Sequence, residues 1–294
     1  MAIITQLLVN GLIAGSIYAL IATGFSLIYN VKKLFHIAHG GIYALSAFLA
    51  YTFIVLFKLN FILSFILTLI IATLLGVLID LLIYKPLRKQ KHNELPLLLA
   101  SFGTFIFLES FILLIFGADV KTFNFHITKG YEFLGAIITK TQIIILIVAV
   151  ISFILLQLFL KKTTLGKALR AVSDNKEIAS TLGINTEKIT MITFAIGSAL
   201  AAVAGILIGI EQNLEPSMGF MAILKGFTAA IIGGLGNIQA SVLGGFFLGI
   251  IENLGIWFLP SGYKDAIAFV ILILFLLYRP YGLFGMKTRE EIAG

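Results

Sequence analysis

The chain has 294 residues, 60% of them hydrophobic and only 12% charged, with a mean hydropathy of +1.07. Soluble domains carry about 25% charged residues, so a soluble fold is excluded. The net charge of +7 does not point to nucleic acid, because most of the 21 lysines and arginines fall in four patches beside apolar runs. The patches are Lys32 and Lys33; Lys85, Arg88, Lys89 and Lys91; Lys161, Lys162, Lys167, Arg170, Lys176 and Lys188; and Arg279, Lys287 and Arg289. Such clusters mark the cytoplasmic ends of membrane spans. No cysteine is present, so disulfide and thiol chemistry are excluded.

A membrane-crossing helix needs about 20 apolar residues. The first uncharged run, 1–31, is too long and lacks the charged start of a cleavable signal. It predicts helix 1 over 6–30, entering from outside. Helices 2 (36–57) and 3 (60–84) go out and back, as do helices 4 (96–117) and 5 (141–160). The loop 118–140, with Asp119, Lys121, Lys129 and Glu132, is then external. Helix 6 (189–211) runs outward and a last helix (263–279) runs inward. By parity, 224–258 crosses twice or not at all. Its Gly233, Gly234, Gly236 and Asn237 interrupt it, predicting two short helices meeting at a break or a re-entrant pair. Irregular backbone at membrane depth survives only against protein or a wet cavity. The fold class is therefore an all-α polytopic bundle of about eight to ten membrane-embedded segments. It forms one transmembrane domain over 1–294, with a cytoplasmic segment at 161–188.

Small residues recur at Gly11, Gly15 and Ala19, at Gly197, Ala201 and Gly205, and at Gly244, Gly245 and Gly249. Such stripes let helices approach closely, and bundle packing is preferred over a subunit interface. No phosphate-binding GxxxxGK[ST] loop occurs, so the chain does not bind ATP through that motif. His36 and His39 lie i, i+3 with no cysteine or nearby carboxylate, which favours a polar-lining or helix-start role over a metal site. Glu109 sits inside helix 4, where a charge costs roughly 2.5–3.5 kcal/mol. It is either a pathway or gating carboxylate or a hydrogen-bonded glutamate between helices. Asp80 and Glu252 read as interfacial or locally paired, and Lys225, Lys264 and Asp265 as interfacial.

Residues 166–182 predict a polar amphipathic helix. Leu165, Ala168, Leu169, Val172, Ala179 and Leu182 share one face, and Gly183 ends it. Asn185 or Thr186 caps the next helix. Such a helix either lies on anionic lipid or docks in a protein groove. The narrow alanine-rich face, without Trp or Phe, favours the groove.

Five stretches then carry a resemblance: NGLIAGSIYALIATGFSLIYN (10–30), HIAHGGIYALSAF (36–48), GKALRAVSDNKEIASTLGIN (166–185), FMAILKGFTAAIIGGLGNIQASVLGGFFLGIIE (220–252) and YKDAIAFVILILFLLYRPYGLFG (263–285). From about residue 8 to 286 the chain resembles the LivH-type permeases of bacterial branched-chain amino acid ABC importers. The resemblance implies a transport subunit of the bacterial inner membrane, not an enzyme. It implies four kinds of partner: a second homologous permease, two cytoplasmic ATPase subunits, a periplasmic amino-acid-binding protein and the lipid bilayer. Nucleic acid is not among them. ATP and Mg would sit on the ATPases, with no cofactor or metal on this chain. Leucine, isoleucine or valine would pass by alternating access; a related importer for urea, short amides or other amino acids is the alternative.

By the same resemblance, 166–183 is the coupling helix, with Gly166, Ala168, Arg170, Ala171, Glu177, Ala179 and Gly183 as its candidate contacts. Helix ends and small residues suit low-affinity passage of a zwitterion. The pathway candidates are His39, Gly40, Gly41, Glu109, Gly233, Gly234, Gly236 and Asn237. Three positions depart from the family pattern. His36-Ile37 stands for Asn-Phe, Gly236-Asn237-Ile238-Gln239-Ala240 for Gly-Ser-Ile-Pro-Gly, and Glu109 for a neutral polar residue.

Overall fold

The computed structural model describes residues 2–89, 94–123, 130–133, 135–279 and 281–284. Lys91, Lys129, Lys287 and Arg289 of the predicted charge pattern lie outside the described residues. Helix α1 (Ala2–Lys32) is followed by α2 (Ala38–Tyr51), which continues through a π-helical turn, Thr52–Leu56. Helix α3 (Phe61–Ile79) continues through a second such turn, Asp80–Tyr84, into α4 (Lys85–Lys89). Next come α5 (Glu94–Phe116) and a hairpin, β1 (Gly130–Phe133) with β2 (Ala136–Thr139). Helix α6 (Lys140–Lys162) follows, then α7 (Thr164–Asp174), α8 (Lys176–Thr181) and α9 (Thr186–Glu211). The chain closes with α10 (Met218–Gly233), α11 (Ile238–Gly255) and α12 (Lys264–Tyr278). Eight helices among the described residues are long and apolar enough to cross a membrane, and α10 is a shorter apolar helix.

Side-to-side contacts agree with the predicted parity. Outside, the Gln6 side chain donates to the Ile137 carbonyl and accepts from the Ile137 amide, holding the start of α1 to β2. Lys121 and Leu214 exchange backbone hydrogen bonds, tying the segment after α5 to the one after α9. Inside, Arg88 and Lys32 both reach Glu187 at the start of α9. The hairpin between α5 and α6 is a feature that the all-helical reading did not contain. It has a local cause: Thr139 ends β2 and opens α6 through a capping box with Gln142.

The core is built by α1, α2, α9 and the α10–α11 pair, while α3, α5, α6 and α12 expose long apolar faces. The small-residue stripes are packing devices. Gly11 and Gly15 of α1 lie against the backbone of α11 at Ile250 and Phe246, and Gly245 and Gly249 of α11 lie against Ala19 and Gly15. Gly205 of α9 abuts the Tyr43 carbonyl of α2. Any side chain at these places would push two helix axes apart.

The interrupted stretch 224–258 resolves into a hairpin of two helices. Gly236 takes a positive φ of 84°, and the Asn237 side chain accepts from the Ala240 amide to cap α11. Those two residues define the turn without the proline of the family pattern. The break lies against protein. Leu283 and Phe284 donate their amides to the Ile232 and Gly233 carbonyls at 2.8 and 3.0 Å.

Candidate functional site

Two polar regions stand out in this apolar bundle. The first is a cavity of about 540 Å³ between the facing sides of α1 and α10, reaching the external segments after α9 and at the start of α6. Ligand sites commonly enclose about 300–1,000 Å³. Helix α10 contributes Met218, Met221, Ala222 and Lys225, spaced i, i+3, i+4 and i+7. Helix α1 contributes Asn10, Ile13, Ala14, Ile17 and Tyr18 in the same rhythm. Two helical faces therefore make the walls.

At its floor four helices converge on one cation. Lys225 Nζ on α10 lies 2.8 Å from Asp265 Oδ1 on α12 and 3.2 Å from Glu252 Oε1 on α11. It also donates to the Tyr18 hydroxyl of α1 at 3.0 Å, and that hydroxyl donates to Glu252 Oε2 at 2.8 Å. Beside it, Lys264 donates to Asn253 Oδ1 at 3.2 Å. Glu252 is fully buried, whereas Asp265 is half-exposed and borders the cavity. A buried charge persists only with such pairing. The mouth carries Glu211, which accepts from Gln142 at 2.8 Å, and Glu215. The cavity thus carries charges of both signs along its lining.

The sequence read Lys225 as interfacial and Glu252 as interfacial or locally paired, and the structure pairs the two. Lys225 lies in mid-α10 with a nearly buried side chain, level with Tyr18 in the middle of α1. The helical rhythm of Met218, Met221, Ala222 and Lys225 was present in the sequence as a signal. Its meaning required the opposing face of α1.

The second region is the polar segment between α6 and α9. Thr163 caps α7 by accepting from the Gly166 amide at 2.9 Å, and Gly166 packs tightly on the backbone of Phe159 and Leu160 at the end of α6. The predicted single helix over 166–182 is broken at Asn175, whose extended backbone (φ −155°, ψ 109°) ends α7. Its side chain then caps α8 by accepting from the Ile178 amide at 2.9 Å. The break changes the predicted apolar face: Gly166, Leu169, Val172 and Ala179 are buried, whereas Leu165 and Leu182 are exposed. Ala168 and Ala171 are half-buried, and Arg170 and Glu177 point to solvent. Gly183, at φ 81°, ends α8. The Ile184 amide reaches back to the Ala179 carbonyl at 3.0 Å, and Asn185 caps α9.

Between this segment and the inner ends of α1 and α4 runs a groove of about 470 Å³ bordered by Lys32, Arg88 and Lys176. Arg88 binds Asp80 at 2.6 Å through Nη1 and Glu187 at 3.3 Å through Nη2.

The pathway candidates occupy three other places, and none of them lines the outer cavity. His39 is buried, with its ring against the backbone of Gly24 on α1. Gly40 meets Gly219 in the first turn of α10, and Gly41 meets Leu108 of α5. Gly233, Gly234, Gly236 and Asn237 form the turn at the opposite end of α10, beside Asn30. Glu109 is half-buried on α5 and makes no hydrogen bond or ion pair among the described residues. The departure at His36 has a local partner: its Nδ1 lies 2.9 Å from the Tyr84 hydroxyl.

Comparison with known proteins places these features. Residues 7–276 match the family described as branched-chain amino acid transport system, permease component. The chain is 36% identical to the high-affinity branched-chain amino acid transport system permease protein BraD of Pseudomonas aeruginosa, over 98% of this chain and 97% of that protein. It is equally similar, over the same shares, to the permease protein LivH of Escherichia coli K12. Among solved structures, PsaBC from Streptococcus pneumoniae in complex with Fab matches with a TM-score of 0.53 at 15% identity, covering 92% of this chain and 91% of that one. That last likeness concerns the fold alone.

Proposed function

This chain belongs to the branched-chain amino acid transport permease family, and on that premise we propose how it works within an ATP-driven importer. It is a multi-pass inner-membrane subunit that carries leucine, isoleucine and valine inward from a periplasmic binding protein. Two cytoplasmic ATPase subunits, holding ATP and Mg, power the cycle, and a second homologous permease completes the membrane part. Residues 161–188 form the cytoplasmic coupling segment of a single domain spanning 1–294.

The observation that carries this reading is the construction of α7 and α8. A short polar pair is anchored to the end of α6 by Gly166 and to the start of α9 by Gly183 and Asn185. Its outward side presents Lys167, Arg170, Lys176 and Glu177, with Ile178 and Leu182 exposed between them. A charged surface with isolated apolar anchors suits a protein partner. Gly166, Ala168, Ala171 and Ala179 keep the pair seated on the bundle, and Arg170 and Glu177 meet the ATPase.

The substrate's route follows α10. The outer cavity lies at one end of this helix, Gly40 and Gly41 sit beside its first turn with His39, and Gly233, Gly234, Gly236 and Asn237 form its inner end. Rocking of α10 engages all three. Glu109, on the outward face of α5, lies where the second permease approaches.

Arg170→Glu tests the docking assignment. Leucine uptake by whole cells and permease-stimulated ATP hydrolysis should both fall by about tenfold or more, the worth of one charged interface contact. Membrane insertion should be unchanged on immunoblots of membrane fractions. If uptake and stimulation both survive the charge reversal, α7–α8 is not the docking element.

A further inference from the structure

We propose that the outer cavity binds the substrate itself, inside this one subunit. The ligand is a zwitterionic aliphatic amino acid that inserts its charged head between Lys225 and Asp265. This inference rests on the transport reading above and adds a site to it.

The charge arrangement selects the ligand class. The Lys225 ammonium donates to the Tyr18 hydroxyl and to Glu252 Oε2, and it pairs with Asp265 at 2.8 Å. Of the two acids, Glu252 is sealed in the bundle, while Asp265 is half-exposed at the cavity wall. Asp265 is therefore the exchangeable partner. A ligand carboxylate can take its place on Lys225, and the displaced Asp265 then needs a cation. A zwitterion supplies both ends at once, so no buried charge is left unpaired. An amine alone leaves Lys225 one partner short if it draws Asp265 away, and a carboxylate alone strands Asp265. Either omission gives up one charge pairing, and the loss weighs most on the nearly buried ammonium.

Lys225, Lys264 and Asp265 line the cavity together with Glu211 and Glu215, so both charged ends of a zwitterion find opposite charges there. Its side chain then meets Ile13, Ile17, Met221 and Ala222, which form the apolar wall. An aliphatic side chain gains by burial there.

The test measures binding of radiolabelled leucine to the full chain in lipid nanodiscs, with no binding protein present. Saturable binding is expected. Isoamylamine, which lacks the carboxylate, and 4-methylpentanoate, which lacks the amine, should compete at least about tenfold more weakly than unlabelled leucine. Asp265→Asn should weaken leucine binding by a similar factor while leaving thermal unfolding unchanged. Asp265→Glu, which keeps the charge, should restore part of the affinity. If Asp265→Asn fails to fold, the analogue competition on the native chain decides alone. Three results overturn the site: no saturable leucine binding, equal competition by either one-charge analogue, or an unaffected Asp265→Asn. Whole-cell leucine uptake by the native importer separates the two levels. Uptake that persists while binding fails removes the site and leaves the transport reading, whereas a native importer without leucine uptake removes the reading.

Discussion

The bundle holds two charge clusters of nearly the same plan, one toward each face. Inside, Arg88 is gripped by Asp80, 1% exposed, and by Glu187, 44% exposed. Outside, Lys225 is gripped by Glu252, 0% exposed, and by Asp265, 45% exposed. Each pairs one cation with a sealed acid and an open one. They differ in the cation. The guanidinium holds its two acids through separate nitrogens in a rigid fork, joining α3–α4 to α9. The ammonium is a point charge whose partners can be exchanged without a change of geometry. The surroundings match: the fork sits next to the α7–α8 segment, and the ammonium faces a cavity. The inner cluster is built as a joint and the outer one as a socket.

The largest effect should come from breaking the joint. Arg88→Leu leaves Asp80 buried and unpaired at the π-helical turn, and losing one member of a buried pair costs about 3–5 kcal/mol. The expected outcome is a markedly lower thermal unfolding temperature for the detergent-purified chain. An unchanged temperature would show that Asp80 finds another partner and that the joint is not rigid.

The sealed acid of the socket should matter less, because its cation keeps other partners. Glu252→Gln leaves Lys225 with Asp265 and Tyr18 and preserves an acceptor for the Tyr18 hydroxyl. About 1–3 kcal/mol of stability should be lost, the usual worth of a hydrogen bond to a charged group. A loss as large as that of Arg88→Leu would make the two clusters equivalent and erase the distinction between joint and socket.

Only part of this plan was legible in the sequence. The spans were, because a helix needs an unbroken apolar run of known length and basic residues mark its inner end. Gly183 and Asn185 were legible for a similar reason, since a positive φ and a side-chain cap are local requirements with few residue solutions. The break at Asn175 was missed although Asn175 and Glu177 carry a local start signal, because the apolar spacing on either side suggested one continuous face. Nothing local marks the two π-helical turns. The socket was missed for a different reason. Lys225 and Glu252 are 27 positions apart and meet only after the α10–α11 hairpin closes, while Tyr18 arrives from the far end of the chain. Pair chemistry of that kind belongs to the tertiary fold, so local pairing could be read for Glu252 but its partner could not.

The smallest effect on stability, and the sharpest test of the joint, belongs to Glu187. It is the open acid of the inner cluster, it reaches Lys32 at 3.9 Å as well as Arg88, and it stands in the first turn of α9 directly after the α7–α8 segment. A half-exposed pair contributes about 0–1 kcal/mol, and less as salt screens it. Glu187→Gln should therefore hardly move the unfolding temperature. If the joint carries motion from α7–α8 into α9, the same substitution should still raise the ATP hydrolysed per leucine imported, because force on the segment no longer reaches Arg88 through a charged contact. Measuring that ratio in proteoliposomes separates the roles: a raised ratio with unchanged stability marks a transmitting contact, and an unchanged ratio reduces Glu187 to a solvated partner of Arg88.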